Sequence, residues 1–118
     1  MIHKESKLQQ LCIRWFRTQY PNHIIFAIPN GGRRGKVEAA IMKGEGVLSG
    51  VADLFLAYPK KLVSGVILHG LFIEIKTEEG KQSKEQKWFQ DEIMKSDYCY
   101  KICRSIEEFM NTINAYLS

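Results

Sequence analysis

One segment, GLFIEIKT at residues 70–77, limits more than any other what this chain can fold into. Side chains alternate along an extended backbone, so Leu71, Ile73 and Ile75 share one face while Phe72, Glu74 and Lys76 share the other. So apolar a strand belongs in a sheet. Its second face nevertheless sets a carboxylate and an ammonium two residues apart. Either that face is half solvated and merely polar, or it is a place for chemistry.

The neighbouring segments supply the rest of a sheet and its cover. Leu8, Leu11, Cys12, Trp15 and Phe16 recur at helical spacing until Pro21 and Asn22 break the pattern. HIIFAI (23–28) is short and rich in β-branched residues, and VADLFLAY (51–58) reads as a buried strand closed by Pro59. Between them lie a basic, glycine-rich loop, NGGRRGK (30–36), and a short helix over 37–43. Ser83 and Gln86 have capping-box spacing ahead of a helix over 84–95; YCYKIC (98–103) is a further strand. Ser105 and Glu108 repeat that spacing before a last amphipathic helix carrying Ile106, Phe109, Ile113 and Leu117. Residues 60–69 fit either a loop or a hairpin extension. The fold class expected is α/β: a mixed sheet of about four strands flanked by helices, in a single domain over 1–118.

Composition narrows the function classes. At 118 residues the chain can bury roughly 65% of its unfolded surface. No stretch nears the ~20 apolar residues of a membrane span, and MIHKESKLQQ lacks a secretory apolar core, so a cytoplasmic location is expected. Cys12, Cys99 and Cys103 have no zinc-ligand spacing and read as reduced packing residues. A net charge of +4 leans mildly toward anionic partners. GGRRGK has the wrong glycine spacing for a Walker A loop and no Ser or Thr after its Lys, which argues against a nucleotide cofactor.

The acids then become informative. Asp53 stands in a strand otherwise made of Val, Ala, Leu and Phe, and strands disfavour Asp. Strands consecutive in sequence are usually adjacent, so Asp53, Glu74 and Lys76 can converge on one sheet position. Close carboxylates repel unless a cation lies between them, and hard oxygen ligands suit Mg²⁺. Singly, Asp53 reads as a strand-end turn residue and Glu74 with Lys76 as an exposed charge pair; Gln86 reads as a helix cap and Glu5 as an acid complementing a helix dipole.

Taken together, Gly50-Val51-Ala52-Asp53, Glu74-Ile75-Lys76 and Ser83-Lys84-Glu85-Gln86 resemble the VRR-NUC domain, a branch of the PD-(D/E)xK nuclease superfamily. The likeness extends to Glu5–Gln9, to Pro29-Asn30-Gly31 and to YCYKICRSIEEF, with Ala52 where the superfamily carries Pro. The resemblance implies a restriction-endonuclease-like core and a DNA endonuclease using Mg²⁺ or Mn²⁺. Asp53, Glu74 and the Ile75 carbonyl would be the metal ligands, and Glu5 would reach the metal through water. Lys76 would orient the attacking water or stabilise the developing charge, with Gln86 beside it. Short stand-alone members, typically carried by phages, look like homodimeric resolvases, so a homodimer selective for branched DNA, above all four-way junctions, is expected. Asn30, Arg33, Arg34 and Lys36 in the basic loop, with Lys81, Lys84 and Lys87 around the start of the helix over 84–95, are expected at the DNA. Lys60 and Lys61 are read as solvated surface. The alternatives are a junction-recognition module with weak or no catalysis, and a subunit that needs a separate specificity protein to cut.

Overall fold

The computed structural model describes residues 3–29 and 35–118. Helix α1 (Lys4–Gln19) buries Cys12 and Phe16 and ends at Tyr20, before Pro21. Strand β1 (Ile25–Ala27) and helix α2 (Lys36–Gly44) follow, then β2 (Leu54–Leu56). Strands β3 (Lys60–Lys61) and β4 (Ile67–Leu68) form a small hairpin ahead of β5 (Leu71–Ile75). Helix α3 (Lys84–Lys95), strand β6 (Cys99–Cys103) and helix α4 (Ile106–Tyr116) complete the chain.

The main sheet has the order β1-β2-β5-β6. β1 pairs antiparallel with β2, and β2 with β5, while β5 and β6 run parallel. A parallel pair cannot be closed by a tight turn and needs a crossover of a dozen or more residues; α3 supplies it. The sheet is therefore mixed, four-stranded and flanked by helices, as the sequence pattern predicts.

The two faces of the sheet differ in what they bury. On one, Cys12 and Phe16 of α1 and Phe109, Ile113 and Tyr116 of α4 pack onto Leu54, Leu56, Leu71, Ile73 and Ile75. Full burial of each Leu, Ile or Phe stabilises by about 1.5–3 kcal/mol, so this face holds most of the fold's apolar driving force. On the other, α3 brings Phe89 against Ala52, Tyr100 and Phe72 in a much smaller cluster. Glu74 of β5, with Lys76 directly after the strand, points into that thinner layer.

Gly50 sets how the layer closes. Its φ of +95° is costly for any residue with a side chain, and a Cβ there would collide with the Glu85 carbonyl in the first turn of α3. Glycine thus lets residues 50–53 lie directly on the start of α3.

Several local expectations need correction. β1 and β2 are each three residues long, shorter than the apolar runs 23–28 and 51–58 that contain them. Residues 60–69 adopt the hairpin alternative, turning at Gly65 (φ +97°), with Val63, Val66 and Ile67 exposed. Lys60 is half-buried, and its Nζ donates to the Ala115 and Ser118 carbonyls at the end of α4, each at 3.3 Å. That helix has no basic residue of its own in the last turn, where a cation is favourable. At the start of α4 the Ser105 hydroxyl accepts from Glu108 N–H (3.1 Å), but the Glu108 carboxylate accepts from Arg104 N–H (2.7 Å), one residue earlier than a capping box requires. Among the described residues no helix is long and apolar enough to cross a membrane.

Candidate functional site

The site forms where β2 and β5 run side by side. Leu54 is registered with Ile73, so one further step brings Asp53 level with Glu74 and on the same face. Asp53 is then fixed from behind, its Oδ2 accepting from Ile75 N–H at 2.7 Å. Glu74 and Lys76 are the buried polar residues among those described, with 3% and 9% of their surface exposed. The half-solvated reading of that face does not hold.

Three groups surround the Glu74 carboxylate. Oε2 accepts from Gln86 Nε2 at 3.0 Å and lies 3.8 Å from Lys76 Nζ. Oε1 is buried and has no hydrogen-bond partner among the described residues. Burial pushes the Glu74 carboxyl up to about 8, the Asp53 charge pushes the same way, and Lys76 offsets part of it. Asp53 is also raised, chiefly by burial, against the Ile75 N–H that stabilises its ionised form. Two desolvated acids side by side, one with an orphaned oxygen, are short of positive charge.

Gln86 caps α3 and also reaches the acid pair. Its Oε1 accepts from Ser83 N–H (2.8 Å) while its own N–H donates to the Ser83 hydroxyl (3.1 Å), a complete capping box. The remaining side-chain donor, Nε2, is what reaches Glu74. Helix capping and contact with the acid are one arrangement.

Glu5 sits half-buried in the first turn of α1, its Oε2 accepting from Thr77 N–H at 3.4 Å. Together with Asp53 it lines a groove of about 870 Å³ that runs along α1 past Ser6, Gln10 and Arg14 to Arg17. Among the described residues no three His, Cys, Asp or Glu side chains converge as a ready metal cluster. The oxygen donors at the acid pair are the two carboxylates and the backbone; with the orphaned Glu74 Oε1, that hard-oxygen, anion-rich set suits Mg²⁺ or Mn²⁺.

The basic residues are spread more widely. Lys36 opens α2, Lys81 precedes α3, and Lys84 and Lys87 lie on its first turns; all four are exposed. Asn30, Arg33 and Arg34 lie outside the described residues. Two basic features escape a reading by local pattern. Arg104, directly after β6, donates through one guanidinium nitrogen to the Thr77 carbonyl (2.8 Å) and the Gly80 carbonyl (2.6 Å), fastening the loop that leaves β5. In that loop a Cβ on Gly80 would press within 3.3 Å of the Lys76 stem. Arg14 and Arg17 carry no motif either; only the fold turns them toward the groove that Asp53 lines. The one signal for Arg104 is its place after the strand that pairs with β5, and that pairing is not visible in sequence. The histidines have no shared site: His23 stacks edge-on against Tyr20 and Tyr58, and His69 against Tyr98.

Comparison with known proteins returns the same mixed α/β fold. The fold is shared with a solved structure described as a VRR_NUC domain protein (TM-score 0.79, 25% identity, 96% of this chain and 87% of that one covered). A second, described as a VRR_NUC domain, aligns at a TM-score of 0.60 with 21% identity over 96% of this chain and 97% of its own. Residues 3–107 match the model of the VRR-NUC domain, and the chain belongs to that family of nuclease domains, which implies DNA as the substrate class. No curated protein matches the chain in sequence.

Proposed function

We propose that this chain is a divalent-metal-dependent endodeoxyribonuclease whose centre is Asp53, Glu74 and Lys76. The observation that carries the reading is the buried Glu74 carboxylate, with an orphaned Oε1, beside Asp53 and 3.8 Å from Lys76 Nζ. A purely structural charge pair has no need of a second desolvated acid.

Asp53, Glu74 and the Ile75 carbonyl would hold Mg²⁺ or Mn²⁺, which would supply Lewis acidity at the scissile phosphate. Gln86 fixes the Glu74 carboxylate by donating to Oε2, so the acid pays little reorganisation when substrate arrives. Lys76 Nζ, held among buried groups, donates to the attacking water or to the phosphate oxygen that gains charge. Glu5 stands at the groove side and acts there through water. Phosphodiester hydrolysis can require accelerations near ~10¹⁷, about 23 kcal/mol of barrier, whereas one preorganised donor typically contributes ~10²–10³. Metal, lysine and positioning therefore divide the task.

The preferred substrate in this reading is branched DNA, above all four-way junctions, cut by a homodimer. One chain carries one Asp53–Glu74–Lys76 set, while resolving a junction takes two symmetric nicks, which two-fold pairing provides. The exposed Val63, Val66 and Ile67 of the β3–β4 hairpin offer apolar surface for such pairing. Lys81, Lys84 and Lys87 then contact phosphate around the start of α3, as do Lys36 and the basic loop with Asn30, Arg33 and Arg34.

Labelled duplex, flap, fork and four-way substrates incubated with Mg²⁺, Mn²⁺ or EDTA test the proposal. Cutting that appears with metal and vanishes in EDTA is expected, strongest on the four-way substrate. Tight junction binding with no cutting under any metal would replace the enzyme by a recognition module. Equal cutting of linear duplex would remove the junction preference alone. A monomer by light scattering, with and without junction DNA, would remove the dimer.

A further inference from the structure

We propose that the groove along α1 is the track for one strand of the substrate backbone, with Arg14 and Arg17 as phosphate contacts on the side of the centre away from α3. This rests on the nuclease reading and extends it to residues no sequence motif selects.

The groove has opposite chemistry at its two ends. Glu5 and Asp53 make one end acidic, and Arg14 and Arg17 make the other basic, with the neutral hydrogen-bonding groups of Ser6 and Gln10 between. At about 1.5 Å of rise per residue, Arg14 lies roughly 13 Å and Arg17 roughly 18 Å along the helix from Glu5. A backbone lying in the groove presents successive phosphates along it, so the two arginines fall a few phosphate steps from the acids. A small anion has no use for so long a cleft. A polyanion, cut at the acidic end and held at the basic end, fits both.

The arginines are also available. Both are exposed, and neither forms an ion pair among the described residues, where the pairs are Lys76–Glu74 and Lys95–Glu92. The internal polar contacts of this helix face leave the guanidinium groups out: Gln10 Nε2 donates to Ser6 Oγ, and Thr18 Oγ1 donates to the Arg14 carbonyl. Apolar residues on the opposite side of the same helix, Cys12 and Phe16, hold it on the sheet, so the arginine face can change without disturbing the core.

The test is the double variant R14Q/R17Q, with R14K/R17K retaining charge. Binding to a labelled duplex is measured in EDTA across a range of salt, and cleavage is measured separately with Mg²⁺. Each lost phosphate contact removes about 0.9 from the slope of log affinity against log salt on duplex DNA. The Gln pair should therefore flatten the slope by about 1.8 and weaken binding by roughly 60-fold near 0.1 M salt. In cleavage, KM should rise and account for the fall in kcat/KM, and the Lys pair should recover most of both effects. An unchanged salt slope with unchanged KM overturns the track. Because the slope needs no cleavage, a wild-type chain that binds but never cuts would sink the nuclease reading while leaving the track standing. Thermal melts of the variants that match wild type confirm that the comparison is made on folded protein.

Discussion

Two helices of this molecule begin with the same Ser-x-x-(Gln/Glu) spacing and do different work. At α3 the third residue is Gln86, whose amide accepts from Ser83 N–H and donates to buried Glu74. At α4 it is Glu108, whose carboxylate accepts from Arg104 N–H and remains local. An amide carries donor and acceptor together, while an ionised carboxylate only accepts. That chemical difference lets one helix start be joined to the acid centre, and leaves the other as a fastening for the chain that follows β6.

The largest effects should appear at the far end of the Gln86 connection. Asp53→Ala and Glu74→Ala are expected to abolish cleavage while DNA binding in EDTA is kept or improved, since both acids repel phosphate without a metal. Full activity in either variant would end the assignment of the centre. Glu74→Gln should be equally inactive, yet should change stability in a telling way. An acid whose folded pKa is raised contributes stability that is present below its unfolded value of 4.5 and lost as pH rises through about 8. Metal-free wild type should thus lose stability across that window in thermal melts, and Glu74→Gln should flatten the loss; identical profiles would mean that Glu74 is not desolvated as described.

Next in size is Lys76→Met, expected to slow cleavage by at least ~10²-fold in a folded protein. If stability dropped instead, with turnover per folded molecule unchanged, Lys76 would be only the partner of Glu74 in a structural pair. Gln86→Glu comes third. It retains the capping acceptor, removes the donor to Glu74 and adds a like charge, so about 1–3 kcal/mol of stability should go together with most of the activity. Gln86→Ala should lose the cap as well but adds no repulsion; a milder effect of Gln86→Glu than of Gln86→Ala on turnover would disprove the contact with Glu74. The reciprocal exchange, Glu108→Gln, is the smallest: the acceptor for Arg104 N–H survives, and stability should stay within about 0.5 kcal/mol with unchanged cleavage. A loss at Glu108 as large as that at Gln86 would erase the distinction between the two helix starts.

How legible these features were depends on how far they reach along the chain. The apolar periodicity of α1, α3 and α4 and the alternation of β5 are local, and the sheet assembles from them as expected. Asp53, Glu74 and Lys76 are legible together because only the small β3–β4 hairpin separates β2 from β5, and the two strands are neighbours in the main sheet. The hairpin at 60–69 is ambiguous in sequence because its strands are two residues each, too short to establish a period. The clamp of Arg104 on residues 77–80 and the turning of Arg14 and Arg17 toward Asp53 are products of tertiary packing. No local pattern records them.

The buried cysteines have a practical consequence. Cys12 of α1 and Cys103 of β6 are fully buried in the same core, and Cys99 is half-buried; none is in a disulfide. Burial pushes the Cys12 thiol up to about 12 and raises Cys103 and Cys99 as well. Only a thiolate attacks an alkylating reagent, so near neutral pH these groups are silent until the chain opens. The molecule thus carries its own clock for opening: alkylation should reach Cys99 first, then Cys12 and Cys103 together, at a rate set by how often the shared core comes apart.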